Sequence, residues 1–309
     1  MKVVTSYKQP DIDGVSSMYA YSELLRRTGE NANYFIWDIP KKEVLIVCDI
    51  FGIKLEGLSL DDISKDSEFI LVDLNGRAQI HDMISNDKIV EIIDHHGLSR
   101  ELQSYKNIQR LQIDKLGAAA TIVTERYKES GLIPSREAAI LLFYGIISNS
   151  INLKANITKK RDIDACNWLK SKCKDISDEK INEIFIKKSI IDNNNLRSEM
   201  ECEIPNEFPD FKVIVGQLEV ANLEDFLSKN KSNIISIMNE IKKEKKVDYV
   251  FINCVDILNG YIIIFGADER SNKFVTDTFG YKFNENNIVK LDKIIQRKEL
   301  TNILRKNYC

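Results

Sequence analysis

At 309 residues, with 43% hydrophobic residues, five Pro and 13 Gly, the chain is long enough for one large or two ordinary domains, and it is neither a disordered chain nor a fibrous repeat. A net charge of −3 supplies no general positive field that would draw nucleic acid, so any charge that binds phosphate has to be local. No apolar run approaches the roughly 18 residues that span a bilayer, which predicts no membrane partner.

In chain order, residues 2–6 (KVVTS) read as a strand, and 15–27 have the spacing of an amphipathic helix ending near Gly29. Residues 34–37, 44–48, 69–72 and 89–93 are short apolar runs that read as further strands. Near-continuous apolar strands suit a parallel sheet covered on both faces. Residues 117–131, 135–148, 160–173 and 179–190 then read as successive helices. The polar stretch 192–195 (DNNN) reads as part of a linker. Beyond it, 212–218, 249–255 and 261–265 read as strands, with helices at 222–246 and near the C-terminus. The predicted fold class is therefore α/β: a doubly wound, mainly parallel sheet over residues 1–190, a linker at 191–197, and a smaller mixed α/β domain over 198–309. The first 14 residues, MKVVTSYKQPDIDG, hold no signal-peptide stretch. Cysteines at 48, 166, 173, 202, 254 and 309 form no Cys-x-x-Cys pair, which argues against zinc or a disulfide framework and for a reducing cytoplasm.

In parallel α/β sheets ligands bind at the carboxyl ends of the strands, and the chain's acidic and His residues fall at such ends. Asp11 and Asp13 follow the first strand in a loop held by Pro10 and Gly14. In an extended loop their side chains diverge, so each can serve a different metal ion. Asp73 follows FILV and precedes Leu74-Asn75. Asp94-His95-His96 follows VEII and takes two of only three His in the chain; the third, His81, reads as a helix-surface residue. Singly these are ordinary: Asp-x-Asp is a common turn, and a strand-end Asp commonly caps the next helix. Three strand ends delivering carboxylates and imidazoles to one edge are what a metal cluster requires.

Taken in order, Asp-x-Asp, a mid-chain strand-end Asp and Asp-His-His resemble the motifs of the DHH phosphoesterases. PDID at 10–13, ILVDLNGR at 70–77, EIIDHHG at 91–97, GAAATIV at 117–123 and GIISNS at 145–150 are similar, in order and spacing, to the manganese-dependent family II inorganic pyrophosphatases. Gln296-Arg297-Lys298-Glu299 resembles the Ser-Arg-Lys-Lys phosphate motif of that family's C-terminal (DHHA2) domain. The resemblance implies hydrolysis of a phosphoanhydride, most simply pyrophosphate to two phosphates, by a metal-activated water in the cleft between two domains. It implies one or two Mn²⁺ ions, with Mg²⁺ or Co²⁺ as substitutes. Asp11 would bind one metal, Asp13 the other, Asp73 would bridge them, and His95 would bind the second. His96 would face the substrate, Asp94 would orient a ligand imidazole, and Arg297 and Lys298 would clamp the phosphate. Pairing of family members through edge strands implies a homodimer.

The sequence departs from that pattern in places. Tyr7 stands where the family has a His, Asn149 where it has an Asp touching both metals, and Leu74 where it has a His; no match to its mid-chain phosphate-binding Lys is found, Asn193 to Asn195 occupying that region. A neutral phenol is a poorer ligand than imidazole, and Asn keeps a carbonyl oxygen but loses the charge. Both losses fall on the first metal's ligands, leaving Asp11, Asp73 and the Asn149 oxygen there against Asp13, Asp73 and His95 at the second. Three readings follow: an active hydrolase with one tight metal, an enzyme of another phosphate substrate (short oligonucleotide, nucleotide bisphosphate or polyphosphate), or an impaired phosphate- or nucleotide-binding relative. The run KKEKK at 242–246 reads as a solvated helix face, the small residues from Gly117 as aids to close helix packing, and Trp37 and Trp168 have no functional reading.

Overall fold

The computed structural model describes residues 1–191, 195–200 and 212–308. The chain divides into two compact units, one of residues 1–153 and 157–184, the other of 154–156 and 185–309. Residues 192–194 of the expected linker lie outside the described residues, as do Cys202 and Cys309. Among the described residues no helix is long and apolar enough to cross a membrane.

In the first unit the order is β1 (Lys2–Thr5), α1 (Ile12–Arg27), β2 (Ala32–Tyr34), α2 (Lys42–Phe51), β3 (Glu68–Val72), β4 (Ile89–Asp94), β5 (Arg110–Ile113), α3 (Ala119–Glu129), α4 (Arg136–Asn149), α5 (Lys160–Lys172) and α6 (Asp178–Lys188), which runs on into the second unit. The sheet is parallel throughout, in the order β2-β1-β3-β4-β5. β3 and β4 are buried on nearly every residue, as strands covered on both faces must be. Glu91, an acidic residue in the middle of β4, is satisfied across the layer. It accepts from Tyr21 Oη at 2.9 Å and from Arg126 Nη1 at 2.5 Å, which joins α1 and α3 to the strand. Residues 138–147 of α4 are all buried, which makes it a central helix. It crosses α1 where a Cβ on Gly145 would run into Ser16 Oγ and lie 3.1 Å from Ala120 Cβ and 3.3 Å from the Ile12 carbonyl, so a side chain there would force its neighbours to shift.

The second unit holds α7 (Leu196–Glu199), β6 (Val213–Val220), α8 (Leu223–Lys245), β7 (Tyr249–Asp256), β8 (Tyr261–Gly266), α9 (Glu269–Phe279), β9 (Val289–Leu291) and α10 (Arg297–Tyr308). Its sheet is mixed, with β6 parallel to β7 and both β7–β8 and β8–β9 antiparallel. The apolar face of α8 packs on it through Leu227, Ile234, Met238 and Ile241.

Three local readings are corrected. Residues 34–37 are not a strand: β2 is Ala32–Tyr34 and ends where that reading begins. Residues 44–48 are not a strand but the middle of α2. The apolar run continues to Phe51, and helical spacing buries Val44, Val47 and Phe51 while leaving Leu45 49% exposed, with Gly52 in the left-handed conformation closing the helix. His81 is not on a helix surface. It lies between short 3₁₀ turns with its ring stacked 3.9 Å from Trp37, in a contact that two non-periodic residues give no reason to expect. The edge strand β5, half exposed and rich in polar residues, also lacked an apolar signature.

Candidate metal centre

In the sheet order β2-β1-β3, the chain turns one way from β1 and the other way to β3, and ligands of open parallel sheets sit at such a switch point. Here the carboxyl ends of β1, β3 and β4 deliver Asp11 and Asp13, Asp73, and Asp94-His95-His96 side by side.

α1 begins at Ile12, so Asp11 and Asp13 do not share the extended loop that their spacing predicts. Asp11 is the N-cap of α1: its Oδ1 accepts from the amides of Asp13 at 3.1 Å and Gly14 at 3.2 Å. Its own amide donates to the Tyr7 phenol oxygen at 3.1 Å. Gly14 is required there, because a Cβ would lie 2.8 Å from Ser6 Oγ and 3.2 Å from Pro10 Cβ. Glu43 of α2 closes the same corner, its Oε1 accepting from the Ile12 amide at 3.3 Å and its Oε2 from Ser148 Oγ at 2.6 Å.

Asp13, fully buried, sits in the first turn of α1 and caps another helix. Its carboxylate accepts from the amides of Ala119 at 2.9 Å and Ala120 at 2.8 Å, the first residues of α3, whose own cap position is Ala118 and lacks a side-chain acceptor. The unsatisfied amides of a helix N-terminus favour a negative charge. Small residues at 117–120 let the carboxylate approach, which is a more specific role than general close packing. The turn is held from behind by Asp162, which accepts from the Gly117 amide at 3.0 Å, the Thr121 hydroxyl at 2.5 Å and the Lys159 amide at 2.7 Å. A third donor reaches Asp13 from the last residue of α4: Asn149 Nδ2 lies 2.8 Å from Oδ2.

Asp73 ends β3 in the left-handed conformation at φ +60°, which Asp tolerates better than most residues, and its amide extends the sheet by bonding the Ile93 carbonyl at 2.9 Å. That twist turns its carboxylate toward the Asp-His-His loop. His95 Nδ1 lies 3.0 Å from the Leu116 carbonyl, which can only accept a proton from that nitrogen, and this orientation turns Nε2 inward. Nε2 is 3.3 Å from Asp73 Oδ1 and 3.6 Å from Asp13 Oδ2. Both atoms are buried, and apart from this contact with each other neither has a hydrogen-bond partner among the described residues.

Asp94 is likewise fully buried, and its Oδ1 accepts from the amides of His95 and His96 and from His96 Nδ1 at 2.8 Å. The imidazole it orients is therefore that of His96; His95 is oriented by Leu116. Its Oδ2 accepts from Asn75, which also donates to the Gly97 carbonyl at 3.0 Å and receives the Ser99 amide at 2.7 Å. Burial works against ionisation of Asp94, but His96 and Asn75 outweigh it and hold its carboxyl below the usual range. Burial and neighbouring carboxylates push Asp13 and Asp73 up. Burial likewise opposes a charged imidazole at His95, but Asp73 and Asp13 overcome it and raise its pKa to about 9. A cluster whose acids are pushed up and whose imidazole holds on to its proton lacks positive charge.

Asp73, Asp94, His95 and His96 bring ligand-type atoms within 4.8 Å of one another. Buried 3.3 Å apart, Asp73 Oδ1 and His95 Nε2 face each other as an ion pair while the imidazole is protonated, and they offer a divalent transition-metal cation one carboxylate and one imidazole when it is not. Leu74 points away into the core. Arg297 and Lys298 open α10 in the second unit, the Arg297 amide bonded to Gln217 Oε1 at 2.7 Å and Lys298 exposed. Reading the sequence alone overlooked Asn75, Leu116, the amides of Ala119 and Ala120, and Asp162. Only Asn75 carried a usable signal, since it stands inside the Asp73 motif.

Residues 2–146 match the DHH family, N-terminal domain. A Clostridium acetobutylicum protein named a probable manganese-dependent inorganic pyrophosphatase is 28% identical over 302 residues, covering 96% of this chain and 94% of that relative. A Methanothrix thermoacetophila protein named a manganese-dependent inorganic pyrophosphatase is 27% identical over 299 residues, with 96% and 94% covered. The crystal structure of a Methanococcus jannaschii protein assigned to the family II inorganic pyrophosphatases superposes with a TM-score of 0.71 at 23% identity, over 100% of this chain and 99% of that one, so the fold is shared.

Proposed function

We propose that this chain, whose residues 2–146 are a DHH family N-terminal domain, is a metal-dependent phosphohydrolase that cleaves inorganic pyrophosphate to two phosphates, with Mn²⁺ as its ion and Mg²⁺ or Co²⁺ as substitutes. The observation that carries this reading is the buried carboxylate–imidazole pair Asp73 Oδ1 and His95 Nε2, 3.3 Å apart and with no other hydrogen-bond partner among the described residues, at the sheet's switch point. The names of the manganese-dependent relatives support the ion and the substrate.

Asp73, His95 and Asp13 would hold the cation, which when bound acidifies a water and neutralises charge on the phosphoryl group. His95 is a ligand because Leu116 takes its other nitrogen. His96 is 37% exposed in its side chain and gripped at Nδ1 by ionised Asp94, so it can carry a proton at Nε2 for a phosphate or leaving oxygen. Asp94 supports that charge and Asn75 holds Asp94. In a chain of net charge −3, phosphate needs local cations, and Arg297 and Lys298 of the second unit are proposed to supply them as a fork and a point charge.

The test is phosphate release from pyrophosphate with Mn²⁺, Mg²⁺ or Co²⁺ in turn, against a chelator control. Asp73→Ala and His95→Ala should each lower turnover by about 10³-fold, the effect of losing several kcal/mol of metal-assisted stabilisation. Unchanged turnover in both variants would refute the site. Release from a nucleotide bisphosphate, a short oligonucleotide or polyphosphate but not from pyrophosphate would keep the site and change the substrate. A second reading, a phosphate-binding protein without turnover, draws on the three donors that already satisfy Asp13. It predicts a thermal shift with phosphate and no release with any ion.

A further inference from the structure

We infer that Asp162 is a positioning residue for the metal centre: from the first turn of α5 it holds the segment 116–121, where the chain turns into α3, and that segment sets both His95 and Asp13. The inference rests on the reading above only in naming those two residues as ligands.

The segment reaches the two ligands through its main chain. The Leu116 carbonyl accepts from His95 Nδ1 at 3.0 Å, and the Ala119 and Ala120 amides donate to the Asp13 carboxylate at 2.9 Å and 2.8 Å. His95 follows β4 and Asp13 follows β1, so this one segment links side chains from two separate strand ends. A shift of the segment would move the ring and the carboxylate together, and metal ligands tolerate little displacement.

The segment has little with which to fix itself. Leu116, Gly117 and Ala118 carry no polar side chain, and Ala118 stands at the N-cap of α3 without an acceptor. The hold comes from 45 residues further along the chain. Asp162 Oδ2 accepts from the Gly117 amide at 3.0 Å and the Lys159 amide at 2.7 Å, and its Oδ1 accepts from the Thr121 hydroxyl at 2.5 Å. The carboxylate thus grips the segment just before and just after the two amides that hold Asp13. Asp162 and Thr121 are both 0% exposed, so water does not compete for these bonds. Gly117 lets the carboxylate lie against the main chain, because a Cβ there would stand 3.0 Å from Oδ2 and 3.1 Å from Cγ. The Lys159 bond ties Asp162 to the start of its own helix. Beside it, Arg161 pairs with Asp114 at 2.8 Å and Glu125 at 2.6 Å, but those pairs are part-exposed and screened, which leaves the buried carboxylate as the stronger hold.

The experiment reads the imidazoles directly. The chain has three His, so ¹⁵N labelling at histidine gives a spectrum of three rings, recorded on the full chain, metal-free and at fixed pH. His96 is the internal control, because Asp94 and not the 116–121 segment holds its Nδ1, at 2.8 Å. Asp162→Ala should lose the His95 Nδ1–H signal to solvent exchange and leave that of His96 in place. Isothermal titration of the same variant with Mn²⁺ should show binding weakened by about 10- to 100-fold. Asp162→Asn should restore both readouts: its carbonyl can take the Gly117 and Lys159 amides, and the Thr121 hydroxyl can turn to accept from its NH₂. Arg161→Ala, which removes the part-exposed pairs of the same helical turn, should leave the His95 signal intact. Should Asp162→Ala not fold, Thr121→Val decides, with His95 exchange faster by about tenfold and His96 unchanged. An unchanged His95 signal, joint loss of both imidazole signals, no rescue by asparagine, or the same loss in Arg161→Ala would overturn the inference. The signal needs neither ion nor substrate, so a chain that binds no Mn²⁺ would remove the metal reading while the His95 signal still decides this one.

Discussion

At the scale of single residues, the cluster is built from groups that hold protons a cation would have to displace. Burial and mutual repulsion push Asp13 and Asp73 up, and those same carboxylates hold the His95 imidazole near pKa 9. A cation must displace protons from such a cluster, so binding is linked to pH. The sign follows from His95: below about 9 its imidazole is protonated in the metal-free fold and cannot ligate. Affinity for Mn²⁺ should therefore rise with pH up to about 9, by about tenfold per pH unit for each proton released, and flatten above it. Titration in buffers of different ionisation enthalpy should record that proton release. An affinity independent of pH between 6 and 9 would mean that His95 is already neutral.

At the scale of elements, α4 does two things for the site. It carries Asn149 at its last turn, and its fit against α1 and α3 leaves little room for a Cβ at position 145. Gly145→Ala should raise helix propensity by about 1 kcal/mol yet lower stability by about 1–3 kcal/mol through overpacking against Ser16, Ala120 and the Ile12 carbonyl. Urea unfolding would measure it; a net gain in stability would show that the crossing can relax. Directly after α4, Ile151, Asn152 and Leu153 are all left-handed, at φ +49°, +52° and +61°. A branched side chain is disfavoured in that region, and Ile151 is nevertheless buried there. A period count through this segment shows nothing unusual, because backbone handedness leaves no mark on hydrophobic spacing.

At the scale of the whole molecule, the ligand atoms belong to the first unit, while the second has its own sheet and its own core of Ile214, Leu218, Met238, Ile252 and Phe265. Mn²⁺ at about 100 times its dissociation constant should stabilise the fold that binds it by about 2.7 kcal/mol. Amide hydrogen exchange should therefore slow around Asp73, His95 and residues 117–121, and stay unchanged in β7 and β8 of the second unit. Chelator should restore the original rates. Equal protection throughout both units would mean that they unfold as one.

The chain itself was enough to read the α/β class, most strands of the first sheet, the helices from 117 to 190, and the acidic and His residues at three strand ends. These are local properties: an apolar run bounded by turns, a period of 3.6, an Asp or His at a fixed place after a strand. Tertiary structure alone decided the order β2-β1-β3-β4-β5, which makes those strand ends neighbours at a switch point. It also decided that residues 44–48 join a helix, because burial on one face outweighs β propensity in a run of that length. Asn149 meets Asp13 across 136 residues of chain, and the Leu116 carbonyl sets the His95 tautomer. Main-chain donors and acceptors are the same at every residue type, so the amides that hold Asp13 and the carbonyl that aims His95 have no spelling in the sequence, and only packing brings them to the site.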